Sequence, residues 1–135
     1  MDDIEATREI AVRLVRAANA VKADFADAVA PLGLSVPSAR ALLLLDEPMP
    51  MRVLSDRLTC DQSYITRIAD ELEERGLITR APGEDRRVQI LKLTRTGTRM
   101  RRTVFAAVSE TNRVALRLDA SDRAELDALL VRLLG

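Results

Sequence analysis

Histidine is absent from this chain, and cysteine occurs once, at Cys60. Without imidazole, a Ser-His-Asp triad and an HExxH metal helix are both excluded. With a single thiol, no disulfide closes within the chain and no thiolate or imidazole zinc site assembles. Glycine is nearly as sparse: Gly33, Gly76, Gly83, Gly97 and Gly135 build neither a P-loop nor a GxGxxG turn. No cofactor is implied, and no constellation of catalytic residues emerges, so an enzyme is not expected. Aromatic side chains are limited to Phe25, Tyr64 and Phe105. Apolar runs such as Ala41 to Leu45 are far too short to cross a bilayer. The acidic start, with Asp2, Asp3, Glu5 and Glu9, is wrong for the basic beginning of a signal peptide. A cytoplasmic protein with no membrane partner is expected.

What remains is an aliphatic, highly charged composition: 47% hydrophobic and 31% charged over 135 residues. That fits one soluble, helix-rich domain, or a small domain with a dimerisation extension. The net charge is zero, but its distribution is uneven. Residues 1–50 carry 5 basic and 8 acidic side chains, residues 51–103 carry 12 and 8, and residues 104–135 carry 4 and 5. The positive excess in the middle suits contact with phosphates.

Hydrophobic spacing lays out the elements. Ile10, Leu14, Ala17 or Ala18, Val21, Phe25 and Ala28 recur at three and four residues, predicting one long helix from Ile4 to Ala30, ended by Pro31 and Gly33. Ser35 is an N-cap for a short second helix with Pro37 in its first turn. A third helix runs from about Met51 to Leu58, and a turn follows at Thr59-Cys60-Asp61. Asp61 caps a fourth helix in which Ile65, Ile68, Ala69 and Leu72 face inward, and Gly76 stops it. Leu77 to Arg80 and Val88 to Leu93 read as two strands joined by the Pro82-Gly83 turn. Thr94 caps a fifth helix, from about Arg95 to Leu118. Asp119 or Ser121 caps a last one lined by Leu126, Leu129, Leu130, Leu133 and Leu134.

The order helix, turn, helix, hairpin describes a winged helix-turn-helix, which places one helix in a DNA major groove. On the fourth helix, Ser63, Thr66, Arg67 and Asp70 lie opposite the buried stripe. Arg hydrogen-bonds guanine O6 and N7, while Ser and Thr contact phosphates or bases. The helix N-terminus near Gln62 and Ser63 favours a phosphate. At the hairpin tip, Arg86 and Arg87 can reach the DNA backbone or a narrow minor groove, with Asp85 aiming one of them by a charge-assisted pair. The candidate DNA-binding residues are therefore Gln62, Ser63, Thr66 and Arg67 on the helix, and Asp85, Arg86 and Arg87 on the wing.

Leu54-Ser55-Asp56-Arg57-Leu58, Ile65-Thr66-Arg67-Ile68 with Leu72-Glu73-x-Arg75-Gly76-Leu77-Ile78-x-Arg80, then Asp85-Arg86-Arg87 and Leu93-Thr94-x-x-Gly97 together resemble the MarR (multiple antibiotic resistance regulator) family. The resemblance implies about six helices with a small β-hairpin wing, and a homodimer held by the N- and C-terminal helices. It also implies a regulator, more often a repressor than an activator, that binds a pseudo-palindromic site in double-stranded DNA. In many members a small anionic or phenolic effector lodges between the DNA-binding lobe and the dimerisation helices and loosens the grip on DNA. Two features depart from the pattern: Pro50 stands where a Ser or Thr cap is common, and few aromatic residues are available to stack on an effector. Cys60 sits in the apolar slot of the turn, where a small buried hydrophobe is expected rather than a redox sensor.

The expected organisation is a dimerisation helix over 1–34, a DNA-binding lobe over 35–96 and dimerisation helices over 97–135. A homodimer buries the apolar surplus of the terminal helices most simply. The alternative is a winged helix used for protein contacts, without DNA binding. That would call for apolar residues on the outer face of the fourth helix, where this chain has Ser, Thr and Arg.

Overall fold

Side-chain caps set most of the helix starts. Asp2 accepts from the Glu5 N–H at 2.7 Å and opens α1 (Asp3–Val29), which ends in a single 3-10 turn, Ala30–Leu32. Ser35 opens α2 (Val36–Leu44) and Asp61 opens α4 (Gln62–Glu74). Thr94 opens α5 (Arg95–Glu110), and Asp119 opens α7 (Ala120–Leu134). Between them lie α3 (Met51–Leu58), which follows Pro50 without a side-chain cap, and α6 (Arg113–Leu116). The strands are β1 (Met49–Pro50), β2 (Ile78–Pro82) and β3 (Gln89–Leu93). This computed structural model describes residues 2–135. The result is a mainly α winged helix-turn-helix with six helices of eight residues or more.

Two elements differ from the sequence-based expectation. The wing is not a bare hairpin: β1 adds a third antiparallel strand in the order β1-β3-β2, pairing Met49 with Leu91 and Pro50 with Ile90. Proline is tolerated there because the strand is at the edge and feeds directly into a helix. The fifth helix does not reach Leu118. Thr111 turns its hydroxyl back onto the Ala107 carbonyl at 2.7 Å, Asn112 caps the Ala115 N–H at 3.4 Å, and Asp24 of α1 accepts the Arg113 N–H at 3.1 Å. Those local side-chain bonds offer the backbone an alternative to a continuous helix.

The core lies in the middle of the chain. Leu42, Leu45, Leu54, Ile65, Leu72, Leu77, Ile78 and Leu91 are fully buried around α2, α3, α4 and the sheet, with Val29 and Val104 closing it from α1 and α5. Arg101 of α5 crosses to donate twice to the Leu43 carbonyl, at 3.2 and 3.1 Å. Both C-terminal ends of the helix-turn-helix carry paired 6→1 and 5→2 backbone bonds. In α4, Leu77 N–H reaches Leu72 and Gly76 N–H reaches Glu73, with Gly76 at φ +71°. In α3, Cys60 N–H reaches Ser55 and Thr59 N–H reaches Asp56, with Thr59 itself at φ +53°.

The terminal helices stay largely uncovered. Ile4, Ile10, Val12, Val15 and Val21 of α1 are exposed, and so are Leu126, Leu129, Val131, Leu133 and Leu134 of α7. Of the expected α1 stripe, Ala28 is buried and Leu14 and Phe25 are partly covered, whereas Ile10 and Val21 face solvent. A single protomer therefore leaves two extended apolar surfaces bare.

Candidate nucleic-acid interface

The candidate surface begins with Asp61, the N-cap of α4. Its carboxylate accepts the Tyr64 N–H at 2.8 Å and the Ser63 hydroxyl at 2.9 Å. The Tyr64 N–H bond, followed by the Ser63 hydroxyl, holds the carboxyl below its ordinary pKa. This fixes the first turn of α4, and with it the direction of Gln62, Ser63 and Thr66. Thr66 is half-buried and returns its hydroxyl to the Gln62 carbonyl at 2.8 Å. The Gln62 amide approaches Met51 Sδ at 3.7 Å. Arg67 lies over the Tyr64 ring at 5.5 Å from its centroid, a cation–π contact that limits its rotamers while leaving the N–H groups available.

The wing tip is ordered mainly through its backbone. Asp85 accepts the Arg87 N–H at 3.0 Å, its own carbonyl accepts the Val88 N–H at 2.9 Å, and Gly83 N–H reaches the Val88 carbonyl at 2.7 Å. The expected aiming of an arginine by Asp85 is loose: the Arg87 Nε stands 3.9 Å away, and the side chain is 94% exposed. Asp85 therefore shapes the turn, and the two guanidinium groups project freely from it.

Helix and wing face each other across a groove of about 530 Å³. Arg52, Arg80, Arg86 and Arg87 line it together with Gln62, Thr66 and Gln89, and no carboxylate lines it among the described residues. The fold thus gathers four of the seven sequence-derived candidates, Gln62, Thr66, Arg86 and Arg87, around one basic concavity. Ser63, Arg67 and Asp85 lie outside it. Arg67 borders a shallower groove with Ser35, Pro37 and Glu71.

Arg52, Arg80 and Gln89 were not singled out from sequence. Arg80 sits in β2, and its guanidinium forks onto Glu73 at 3.3 Å through both Nε and Nη2 while also pairing with Asp70. These contacts, the Asp70 bond foremost, raise its pKa above the ordinary value. Arg80 thereby ties the wing to α4 and neutralises carboxylates that face outward from that helix. The available signal was the alternation of β2, where Arg80 shares the sheet face of the buried Ile78. Arg52 lies in the first turn of α3, where only contacts distant in sequence reveal the groove.

Cys60 is partly buried and packs against the core. Burial, then the charge of Asp61, raises its pKa, so the thiolate is disfavoured and the residue behaves as a small hydrophobe. Among the described residues no group of His, Cys, Asp and Glu is placed to hold a metal ion, and no helix is long and apolar enough to cross a membrane.

No curated protein sequence matches the chain significantly. Among solved structures, a mutant MarR from E. coli complexed with operator DNA superposes with a TM-score of 0.82 at 20% identity, covering 100% of both chains. A MarR-family transcriptional regulator from Rhodococcus sp. RHA1 gives 0.80 at 28% identity, covering 92% of this chain and 91% of that one. CouR from Rhodococcus jostii RHA1, bound to p-coumaroyl-CoA, gives 0.77 at 28%, covering 90% and 88%. The sequence profile of the MarR family matches residues 34–88, which span α2, the helix-turn-helix, β2 and the wing tip, so this segment carries the MarR family's sequence pattern and the whole chain is similar in fold to MarR-family regulators.

Proposed function

We propose that the protein is a homodimeric, sequence-specific DNA-binding transcriptional regulator that reads a pseudo-palindromic site. The observation that carries this reading is the basic groove between the α4 N-terminus and the wing. It holds four arginines beside a helix whose outward residues are Ser63, Thr66 and Arg67. Arg67 and Ser63 read bases or phosphates in the major groove, while Arg86 and Arg87 reach the neighbouring backbone or minor groove. Arg52, at the start of α3, adds a phosphate contact. The fold's likeness to a MarR complexed with operator DNA supports the same use of the surface.

Dimerisation is proposed from the bare apolar faces of α1 and α7. Faces of that extent on a small chain are covered by association, and a pair of protomers sets two recognition helices about 34–36 Å apart, one turn of DNA. In this arrangement residues 1–34 and 97–135 dimerise and residues 35–96 bind DNA. Repression is the mode that the family resemblance implies. Release by a small-molecule effector is supported by a ligand-bound relative. The rival use of the fold for protein contacts is disfavoured by the polar outer face of α4.

Selection from a randomised duplex library, with sedimentation of the free protein, tests the reading. Enrichment of an inverted repeat by a dimer supports it. A monomer, or equal binding to all duplexes at raised salt, overturns it.

A further inference from the structure

Three hydrogen bonds distant in sequence join the recognition helix to the point where α1 turns into α2. At the C-terminus of α4, the Arg75 guanidinium donates to the Gly33 carbonyl at 2.8 Å and to the Leu32 carbonyl at 3.4 Å. One turn earlier, Glu71 accepts the Ser35 hydroxyl at 3.4 Å, and that same hydroxyl caps α2 by accepting the Ser38 N–H at 3.3 Å. Leu32 and Gly33 are the exit of α1, where Gly33 holds φ +69°. Ser35 is the entrance of α2. A cation placed on the last carbonyls of a helical turn is favourable in itself, because those carbonyls otherwise lack partners.

We infer that Arg75 and Glu71 are positioning residues that transmit the direction of α1 to the recognition helix, and so set the spacing between the two recognition helices of the dimer. The inference rests on the reading given under Proposed function and extends it to regulation. Helix α1 packs on α2, α5 and α6, whereas α4 packs on α2, α3 and β2, so α2 and the joint that leads into it link the two. The joint at Leu32–Ser35 is thus where a tilt of the long helix meets the DNA-reading element. Arg75 and Glu71 clasp that joint from both sides, and neither lines the basic groove. Removing the clasp leaves the base-reading side chains in place and loosens only their orientation relative to the dimer helices.

The test compares wild type with Arg75→Gln, Glu71→Gln, the double variant and Arg75→Lys, using the duplex selected by wild type and versions with the half-site spacer changed by one base pair. The double variant is expected to lose at least about 5-fold of the spacer discrimination, the low end of ordinary coupling between sites. Base preference within each half-site should be unchanged, and Arg75→Lys should restore part of the loss. A readout independent of DNA is the distance distribution between spin labels on Glu74→Cys in a Cys60→Ser background, which should broaden in the double variant. Unchanged discrimination together with an unchanged distribution overturns the inference. If wild type selects no duplex, the function reading fails, and the label distribution alone decides the clasp. If Arg75→Gln does not fold, Glu71→Gln probes the same joint through a change of one charge with retained shape.

Discussion

The carbonyl oxygen of Leu77 occupies the space where a side chain on Gly97 would begin. Gly97 is buried in the first turn of α5, and its N–H is held by Thr94 Oγ1 at 3.0 Å. Thr94 in turn donates its hydroxyl to the Gly76 carbonyl at 2.6 Å and its N–H to the Leu77 carbonyl at 3.0 Å. The end of α4 and the start of α5 therefore meet backbone to backbone. Gly97→Ala should destabilise the protein by about 3 kcal/mol or more, since overpacking costs roughly 1–3 kcal/mol even where side chains can yield. Gly83→Ala is the control, because its Cβ would meet its neighbours only at 3.4 Å. It should change stability by less than about 0.5 kcal/mol in urea denaturation. Equal effects would show that the α5 start can shift away from Leu77.

The helix and the wing should separate cleanly in binding. Arg67→Ala is expected to weaken specific binding by about 1–3 kcal/mol and to relax base preference at one position of each half-site. Arg86→Ala with Arg87→Ala should weaken binding to all sequences and lower the salt slope by about 0.9 for each phosphate that is no longer neutralised. Anisotropy titrations over a range of salt concentrations measure both. A wing variant that keeps the wild-type slope would place these arginines away from the duplex.

Much of this was legible locally. Ser35, Asp61 and Thr94 each cap the helix their position announced, and of the two candidates Asp119 and Ser121 it is Asp119 that caps the last, because a cap is decided by a side chain and the N–H two or three residues on. Gly76 stops α4 for an equally local reason, its left-handed φ. The break at Thr111-Asn112 was hidden because it depends partly on Asp24, 89 residues away in sequence. Strand β1 was hidden because two residues carry no periodicity. For the site, the outward face of α4 and the charged tip could be read from spacing, whereas strand alternation gave only the face on which the β2 arginine lies and not its partners. Arg80 looks like an ordinary strand cation until folding brings Asp70 and Glu73 against it.

The depressed pKa of Asp61 gives α4 an acid limit. A carboxyl whose folded pKa lies below its ordinary value of 3.8 contributes stability that is complete above that value. The contribution is lost as pH falls through the lower, folded value. Wild type should therefore lose thermal stability faster than Asp61→Asn between pH 4 and the acid side of the carboxylate range. Asparagine accepts the same Tyr64 N–H but does not titrate there. At pH 7 the order reverses in favour of wild type, which keeps a negative charge at the helix N-terminus. Thermal melts at pH 3 and pH 7 check it, and a gap between the two proteins that does not depend on pH would remove Asp61 from the acid response.

Thr59 carries backbone strain at the turn between α3 and α4. It holds φ +53° and ψ +51°, a region that costs an L-residue about 1–2 kcal/mol and is especially poor for a β-branched side chain. The turn tolerates it because the Thr59 and Cys60 N–H groups satisfy the Asp56 and Ser55 carbonyls. Thr59→Gly should therefore stabilise the protein. The gain is the relieved strain less the roughly 0.5–1 kcal/mol of extra chain entropy that glycine loses on folding, leaving about 0.5–1 kcal/mol. Thr59→Val keeps the branched Cβ and should give no such gain. Thr59 is exposed, so little packing is lost in either variant. If urea denaturation showed Thr59→Gly to be less stable than wild type, the threonine side chain itself, rather than the backbone bonds of the turn, would be what holds α3 against α4.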